Sequence, residues 1–527
     1  MEMSKLIKRP NIALILSAVS AMGFFIIYVL TYKRGVGITA DGPTYIHMAR
    51  CLNSLDLCDK NHLILSVNEW QHFPPLFPFA LATIHWLGGP DPILGARFLN
   101  AILFSVNIFM FGSLIYKNTK DAYLTSIGAL WMLMKIDILS IHTAAMSEPL
   151  FITFMLSWAL LFLDYFTTRR VVSLLGFSLA AALACMTRFA GIPLVLTGLL
   201  MLLLEKKKNE KNSFSPTFIF MIVSLSPLVL WMVKNYLEIG HFVAVDRGVS
   251  LHSFSFQGLH CSWPINHSNF TYIALVLIFI LIYLGWRIWI KRTSAAEDAS
   301  TSLMSFMHTI IIFIFIYIIF WGIVGMSVQY KATPGRYFLP LEIFGIILFF
   351  ILVHLFLSMT EGYKSLKFCF VFFLLLYFVG INSLSAVPWF EYRYNIGMEY
   401  DGQDWDSSEI ITEIQNIPSN MMIYTNNPWI LYVRGNRRLL QIVGLSQKSN
   451  TLSTLRLYSD CYSIKRMTQD LYDKKGLIVY FYSMPDWYRE DKDLPNIISL
   501  DELKKILPLK LLYKVSDGVI YGWNEQK

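Results

Sequence analysis

Long apolar segments recur along most of this 527-residue chain, and they constrain its fold more than any other feature. About eleven of them approach the length of ~20 residues that an α-helix needs to cross a bilayer, although two within 171–204 are short. The mean hydropathy of +0.50 and a charged fraction of 15% agree with a chain whose solvent is partly lipid. The predicted spans lie near 11–32, 94–116, 122–141, 146–166, 171–187, 189–204, 214–236, 270–290, 305–326, 337–357 and 367–387.

Basic residues occupy alternate loops between these segments. Each short loop on one side carries at least two of them, for example Arg169 and Arg170 or the stretch EKKKNEK at 205–211. The positive-inside rule places that side in the cytoplasm, together with the N-terminus. We therefore predict a multi-pass protein of the inner or plasma membrane with a long first outer loop, 33–93. The net charge of +8 is dispersed over these loops, which argues against nucleic-acid binding.

Residues 388–527 differ in composition from the apolar part. Short β-type runs such as NMMIYTN, GLIVYFYS and DGVIYGW alternate there with helical stretches such as SSEIITEIQNI. We predict a transmembrane module over 1–387 and a small extracytoplasmic α/β domain over 388–527. The fold class is thus an α-helical polytopic membrane protein of about eleven spans with a small C-terminal α/β domain.

Ionisable residues gather on or near the predicted outer face. Such residues are costly near a bilayer and commonly mark functional sites. The set comprises Asp41, Glu69, His72, Lys135, Asp137, His142, Glu148, Arg188, Asp246, Arg247, Lys331 and Arg336.

The two acids at helix starts each have a structural as well as a functional interpretation. Asp41 precedes Gly42 and Pro43, a pattern typical of an N-cap with proline in the first turn. Glu148 follows Ser147, which can cap the next span, and an acid is favourable at a helix N-terminus. Either residue can equally serve as a working carboxylate at the membrane surface.

The basic and histidine candidates also leave two interpretations open. Arg188 and Arg336 can extend to the interface, or they can line a cavity and bind an anion. Glu69 and His72 suit a solvated loop or a metal site, and His142 suits an interfacial position or a ligand role.

Five short motifs occur in a characteristic order: ADGPTYIHMA with Asp41, Tyr45 and Ala49 at four-residue steps, then HFPPLFPFAL, SEPLF, TRFAGIPLVL and PGRYFLP. This order resembles the GT-C glycosyltransferases, in particular the protein O-mannosyltransferase and aminoarabinose-transferase branch. HFPPLFPFAL is similar to an interfacial segment of that family. Gly42 departs from the commoner Asp-Glu form of the first motif. The resemblance extends over roughly residues 10–390.

The resemblance implies a reaction and a set of roles. The donor would be a sugar on a polyprenyl phosphate embedded among membrane lipids, and the acceptor a protein, a lipid or a glycan. Asp41 would be the general base and Glu148 would orient the acceptor. The donor phosphate would bind Arg188, Arg336 and Lys331, which would stabilise the leaving group.

The resemblance also implies a substrate cavity and leaves a metal open. Tyr45, His142 and Tyr337 would line the cavity. Some GT-C members bind a divalent metal ion through acids and histidines of the outer loops, and Glu69 and His72 are the candidates here.

Two other function classes compete with the enzyme. A lipid-linked sugar flippase or other transporter usually has its ionisable residues near the bilayer midplane, whereas here they cluster at the outer ends of the spans. A non-catalytic membrane assembly protein would need no such grouping of acids and arginines. Cys51 and Cys58 lie in one outer loop and can pair in an oxidising compartment.

Overall fold

The computed structural model describes most of the chain. The described residues are 11–39, 41–53, 73–208, 215–240, 242, 301–327, 335–359, 364–418, 420–434, 442–444, 446–447, 464–482, 496–497 and 500–524. The predicted span at 270–290 lies outside them, as do Glu69, His72 and Lys331. Cys51 is disulfide-bonded, and Cys58 also lies outside the described residues.

The first part of the chain is a helical bundle. Its helices are α1 Ile12–Leu30, α2 Gly42–Asn53, α3 Leu76–Trp86, α4 Pro92–Thr119, α5 Ala122–Met134, α6 Ile136–His142, α7 Glu148–Thr168, α8 Val171–Thr187, α9 Ile192–Lys208, α10 Ser215–Ile239, α11 Thr301–Ser327, α12 Leu339–Met359, α13 Lys364–Leu375 and α14 Asn382–Ile396. Short 3-10 helices, Phe189–Gly191 and Gly335–Phe338, precede α9 and α12, and a π-helix, Leu376–Ile381, joins α13 to α14.

The predicted membrane character is confirmed, and the number of eleven spans is not established. Among the described residues, 7 helices are long and apolar enough to cross a bilayer, or 8 if the bent pair of α5 and α6 is one span. The axes of α5 and α6 differ in direction by 57°, and Lys135 lies between the two helices. The two predicted spans within 171–204 are shorter apolar helices, divided where Arg188 adopts an extended conformation.

Close packing of α1 against α4 depends on two glycines. A Cβ atom on Gly112 would lie 2.3 Å from Leu16, and one on Gly23 would lie 2.5 Å from Ile108. Small residues at such crossings let transmembrane helices approach each other closely. Buried aromatic side chains contribute to the core of the bundle, including Phe104, Phe111, Trp131, Trp158, Phe162 and Phe177.

The predicted small α/β domain follows the bundle. Its strands are β1 Met422–Thr425, β2 Ile442–Gly444, β3 Ser446–Gln447, β4 Gly476–Phe481, β5 Asn496–Ile497, β6 Leu509–Lys514 and β7 Gly518–Trp523. Five form a sheet in the order β2-β1-β4-β7-β6, in which β1 pairs parallel with β2 and β4, and β7 pairs antiparallel with β4 and β6. Short helices accompany the sheet: Glu409–Gln415, Pro428–Val433, Ile464–Tyr472 and Leu500–Ile506.

Helix α14 continues past the predicted boundary between the two parts. The helix contains Pro388 and ends only at Ile396, after which Gly397 adopts a φ of 84°. Glycine adopts a positive φ without the steric cost that a Cβ would impose, so the chain can leave the helix at Gly397. Helix α14 therefore crosses the predicted boundary at 388 and ends at Ile396.

Candidate active site

Four polar residues lie at the ends of four separate helical elements and meet at one end of the bundle. Asp41 directly precedes α2, and its carbonyl accepts the first helical hydrogen bond, from the backbone N–H of Tyr45. Asp41 thus has the N-cap position that its sequence predicts. Glu148 is the first residue of α7, Arg188 follows α8, and Arg336 lies in the 3-10 turn before α12.

Acids and guanidiniums alternate in this cluster. Arg336 Nη2 lies 2.7 Å from Asp41 Oδ2, and Arg336 Nε lies 3.5 Å from Glu148 Oε1. Arg188 Nη1 lies 2.9 Å from Glu148 Oε2. The two positive and two negative formal charges balance, as buried ionic groups require.

The two carboxylates differ in their access to solvent. The side chain of Glu148 is 5% exposed, whereas that of Asp41 is 18% exposed. Glu148 lies between the two arginines and fixes their separation. Asp41 pairs with Arg336 and is the less buried of the two carboxylates.

A second layer of polar groups orients the arginines. Arg188 Nη1 donates a hydrogen bond of 2.8 Å to Ser147 Oγ, which lies 3.1 Å from the Tyr45 hydroxyl. Burial raises the pKa of Tyr45, and the Asp41 carboxylate raises it further, so the phenol stays protonated. Ser147 lies at the N-cap position of α7, but its side chain makes no capping hydrogen bond there and contacts Arg188 instead.

A cleft with cationic and aromatic walls adjoins the cluster. The Tyr337 ring lies 5.5 Å from the guanidinium of Arg188 and 5.3 Å from that of Arg336, and it stacks on Trp321 with a centroid distance of 4.7 Å. The Tyr317 hydroxyl fixes this turn by donating to the Tyr337 carbonyl. The cleft is lined by Glu148, Phe151, Ile152, Arg188, Ala190, Tyr317, Trp321, Arg336, Tyr337, Leu339 and Pro340.

His142 lies apart from the other predicted site residues. It is fully buried, its Nδ1 lies 2.6 Å from the Ile138 carbonyl, and its Nε2 lies 3.2 Å from Asn107 Nδ2. Its ring packs against Phe104. The structure therefore places His142 in the polar packing between α4 and α6, and not among the residues that line the cleft.

Several residues of this region were not anticipated from the sequence. Ser147 was considered only as a cap, and the aromatic side chains Tyr317 and Trp321 belong to an apolar span without a distinctive motif. Glu342 forms an ion pair of 2.8 Å with Lys135 at the bend between α5 and α6. An acid within an apolar span is a signal that points to such a buried partner.

The predicted metal site falls on residues outside the described part. Within the described ranges, no group of three or more His, Cys, Asp or Glu side chains is placed to hold a metal ion. Glu69 and His72 are not among those residues, so their proposed coordination of a divalent metal stays a prediction.

No protein-family model and no curated protein matches the sequence. Solved structures are similar over nearly the whole chain. ArnT from Cupriavidus metallidurans, 12% identical, covers 96% of this chain and 97% of its own, with a TM-score of 0.55 in the apo state and 0.52 bound to undecaprenyl phosphate. The oligosaccharyltransferase of Archaeoglobus fulgidus in complex with Zn and sulfate, 11% identical, covers 97% of this chain and 73% of its own at a TM-score of 0.51. The chain therefore has the GT-C-like fold that its motifs predict.

Proposed function

We propose that this protein is a glycosyltransferase that moves a sugar from a polyprenyl-phosphate donor to an acceptor at the outer membrane face. The observation that carries the proposal is the alternation of Asp41, Arg336, Glu148 and Arg188 beside an apolar cleft. The fold similarity to ArnT, which has been solved bound to undecaprenyl phosphate, supports a lipid-phosphate substrate.

In this proposal the donor phosphate binds the two guanidiniums. Arg188 and Arg336 flank Tyr337 at the mouth of the cleft, and both are planar forks that suit phosphate oxygens. The four side chains of the cluster are already neutral in sum, so an incoming phosphate competes with the carboxylates for the arginines. Lys331 is proposed as a further phosphate ligand from the sequence alone.

Asp41 is the proposed general base. When the phosphate engages Arg336, the ion pair with Asp41 weakens, and the more exposed carboxylate becomes available to accept a proton. The acceptor hydroxyl or amine gives its proton to Asp41 and bonds to the anomeric carbon. The bond from that carbon to the phosphate oxygen breaks, and its electron pair leaves on the phosphate, where the guanidiniums stabilise the new charge.

Glu148 has a different proposed role. It is paired with both arginines, so it holds them at the separation that one phosphate can bridge, and orientation of the acceptor is a further proposed role. The products are a glycosylated acceptor, whether protein, lipid or glycan, and a free polyprenyl phosphate. We further propose that the N-terminus is cytoplasmic and that the α/β domain is extracytoplasmic, because the basic loops lie on the opposite side.

A donor-consumption assay tests the proposal. Purified protein in lipid nanodiscs is incubated with a panel of polyprenyl-phosphate sugars, and consumption of each donor is followed by chromatography of the lipid fraction. At least one donor should yield free polyprenyl phosphate with wild-type protein and none with Asp41→Asn. Well-folded protein that consumes no donor, but moves labelled lipid-linked sugar across a liposome bilayer, would instead support the transporter.

A further inference from the structure

The backbone segments that precede the two proposed acids are paired with each other. Gly37 and Ala144 form a parallel bridge, in which Gly37 N donates to the Thr143 carbonyl at 2.8 Å and Ala145 N donates to the Gly37 carbonyl at 2.7 Å. Asp41 follows the first segment and Glu148 follows the second. Any shift of this bridge changes the distance between the two carboxylates.

The start of the α/β domain extends this pairing on its other side. Ile38 forms a parallel bridge with Glu399, and Tyr400 N lies 3.4 Å from the Ile38 carbonyl. The segment at 37–38 therefore lies between the turn that leads to Glu148 and the junction that follows α14.

The guanidinium of Arg393 contacts all three of these paired segments. Arg393 is 0% exposed, and its Nη2 donates to the carbonyls of Gly35 at 2.9 Å and Thr143 at 3.0 Å. Its Nη1 lies 3.2 Å from Asp401 Oδ2, and Asp401 Oδ1 accepts a hydrogen bond of 2.8 Å from Met398 N. Arg393 belongs to α14, so this contact fixes the last helix of the bundle to both loops that carry the acids.

We propose that Arg393 is a positioning residue, which sets the separation of Asp41 and Glu148 by holding the Gly35 and Thr143 carbonyls on Nη2 of a guanidinium fork whose Nη1 pairs with Asp401. The inference rests on the proposed function for its catalytic consequence. Catalytic groups need placement within a fraction of an ångström, and a misplacement of about 1 Å can cost about 100-fold in rate. A rigid planar guanidinium links the nitrogen that binds both carbonyls to the nitrogen that pairs with Asp401, and a flexible ammonium lacks that fixed link.

A purely structural role of Arg393 makes a different prediction from a positioning role. A paired substitution distinguishes these two roles. Replacing Arg393 alone leaves Asp401 buried without its cation, which is strongly destabilising whatever the role of the arginine. The double variant Arg393→Met with Asp401→Asn removes both charges. Arg393→Lys keeps a charge opposite Asp401 but lacks the fork, so it provides a second folded variant.

Arg434 is a matched control at the same junction. Its Nε donates to the Tyr400 carbonyl at 2.9 Å and its Nη2 to the Gly402 carbonyl at 3.1 Å, and it also pairs with Asp406. These contacts hold the junction from the side of the α/β domain and involve neither Gly35 nor Thr143. Arg434→Gln therefore perturbs the junction without removing the shared fork.

The experiment combines kinetics, thermal stability and amide hydrogen exchange of the protein in nanodiscs. The double variant and Arg393→Lys should lower kcat for donor consumption by about 100-fold with an unchanged KM. Exchange should rise in both segments, 35–41 and 143–148, and Arg434→Gln should leave these segments and kcat at wild-type values.

Two results would overturn the inference. One is a double variant in which both kcat and the melting temperature return to wild-type values. The other is amide hydrogen exchange at wild-type rates in both segments, in either the double variant or Arg393→Lys. If the wild-type protein consumes no donor, the proposed glycosyl transfer fails, whereas the exchange measurements still decide whether Arg393 holds the two segments.

Discussion

Arg336 donates a hydrogen bond of 2.7 Å to Asp41, a residue 295 positions earlier in the chain. The same guanidinium lies 3.5 Å from Glu148, so one cation stands between the two acids. A phosphate that binds Arg336 must weaken at least one of these ion pairs. In the proposed mechanism, donor binding and the availability of Asp41 are linked through this single side chain.

Asp41→Asn should abolish turnover and preserve the fold. Asparagine retains the ability to cap α2, because Asn and Asp are about equally good N-caps, but it does not accept a proton at neutral pH. We expect a loss of at least about 100-fold in kcat, the lower range for a general base, with donor binding retained. Donor consumption and the binding of undecaprenyl phosphate measure the two effects separately.

Asp91 offers the control for this substitution. It caps α4 through Ile93 N and forms an exposed ion pair of 2.8 Å with Arg50. Asp91→Asn should keep wild-type turnover. If Asp41→Asn protein instead failed to fold, the carboxylate would be required for the helix and its ion pair rather than for proton transfer.

The ion pair of Glu148 with Arg188 should be strongly coupled energetically. Both side chains are largely buried, at 5% and 15% exposure, so removing one partner leaves a desolvated charge. We expect Arg188→Gln to destabilise the protein by about 3–5 kcal/mol, and Glu148→Gln in the same chain to restore part of that loss. Thermal melting of the two single variants and the double variant gives the coupling.

The exposed pair of Lys234 with Glu238 is the reference for this cycle. Its nitrogen and oxygen lie 3.4 Å apart, one helical turn from each other, and both side chains are well exposed. Lys234→Gln should change stability by less than about 1 kcal/mol. Equal effects at the two pairs would mean that the Glu148 pair is solvated rather than buried.

The sequence predicts that one polar cluster contains Asp41, Glu148, Arg188 and Arg336. Each lies at a helix end, and alternation of the basic loops assigns all four ends to one side of the membrane. Which arginine meets which acid could not be predicted, since it depends on how α2, α7, α8 and the turn before α12 pack together. The order of the motifs likewise predicted the fold, but it gives no information about the distances between these four side chains.

Two features of the structure have physical causes that the sequence conceals. The bend at Lys135 contains neither proline nor glycine, so the sequence does not predict that His142 at the end of α6 is buried. Arg393 falls within the range 388–527 that composition predicts as the α/β domain, although it belongs to α14. Arg393 is completely buried where it donates to backbone carbonyls of two distant loops. Because the acceptors are backbone atoms, the side chains in the sequence do not indicate this contact.

Replacement of His142 should lower stability without affecting donor affinity. The ring nitrogen contacts Asn107, whose amide also donates to the Pro149 carbonyl and accepts from Thr153. His142→Leu leaves part of this buried network without a partner, at a cost of about 1–3 kcal/mol. Melting temperature and the KM for the donor distinguish the outcomes, because a raised KM at unchanged stability would assign His142 to the substrate cavity after all.

His47 in α2 should make the protein sensitive to acid. Burial, together with the nearby Arg50 guanidinium, lowers the pKa of His47 to about 3. In the unfolded chain the pKa is about 6.5, so below that pH the unfolded state binds the proton and the folded state does not. The stability from the neutral ring is therefore present above pH 6.5 and is lost as the pH falls toward 3.

Melting temperatures measured between pH 7.5 and 4.5 test the direction of this pH dependence. His47→Gln should flatten the decline on acidification, whereas the same change at exposed His85 on α3 should leave the wild-type slope. The His47 ring also packs edge-on against Tyr432 of the α/β domain, with centroids 5.9 Å apart. Acidification should therefore loosen the contact between α2 and that domain first, and parallel slopes in wild type and His47→Gln would contradict the assignment.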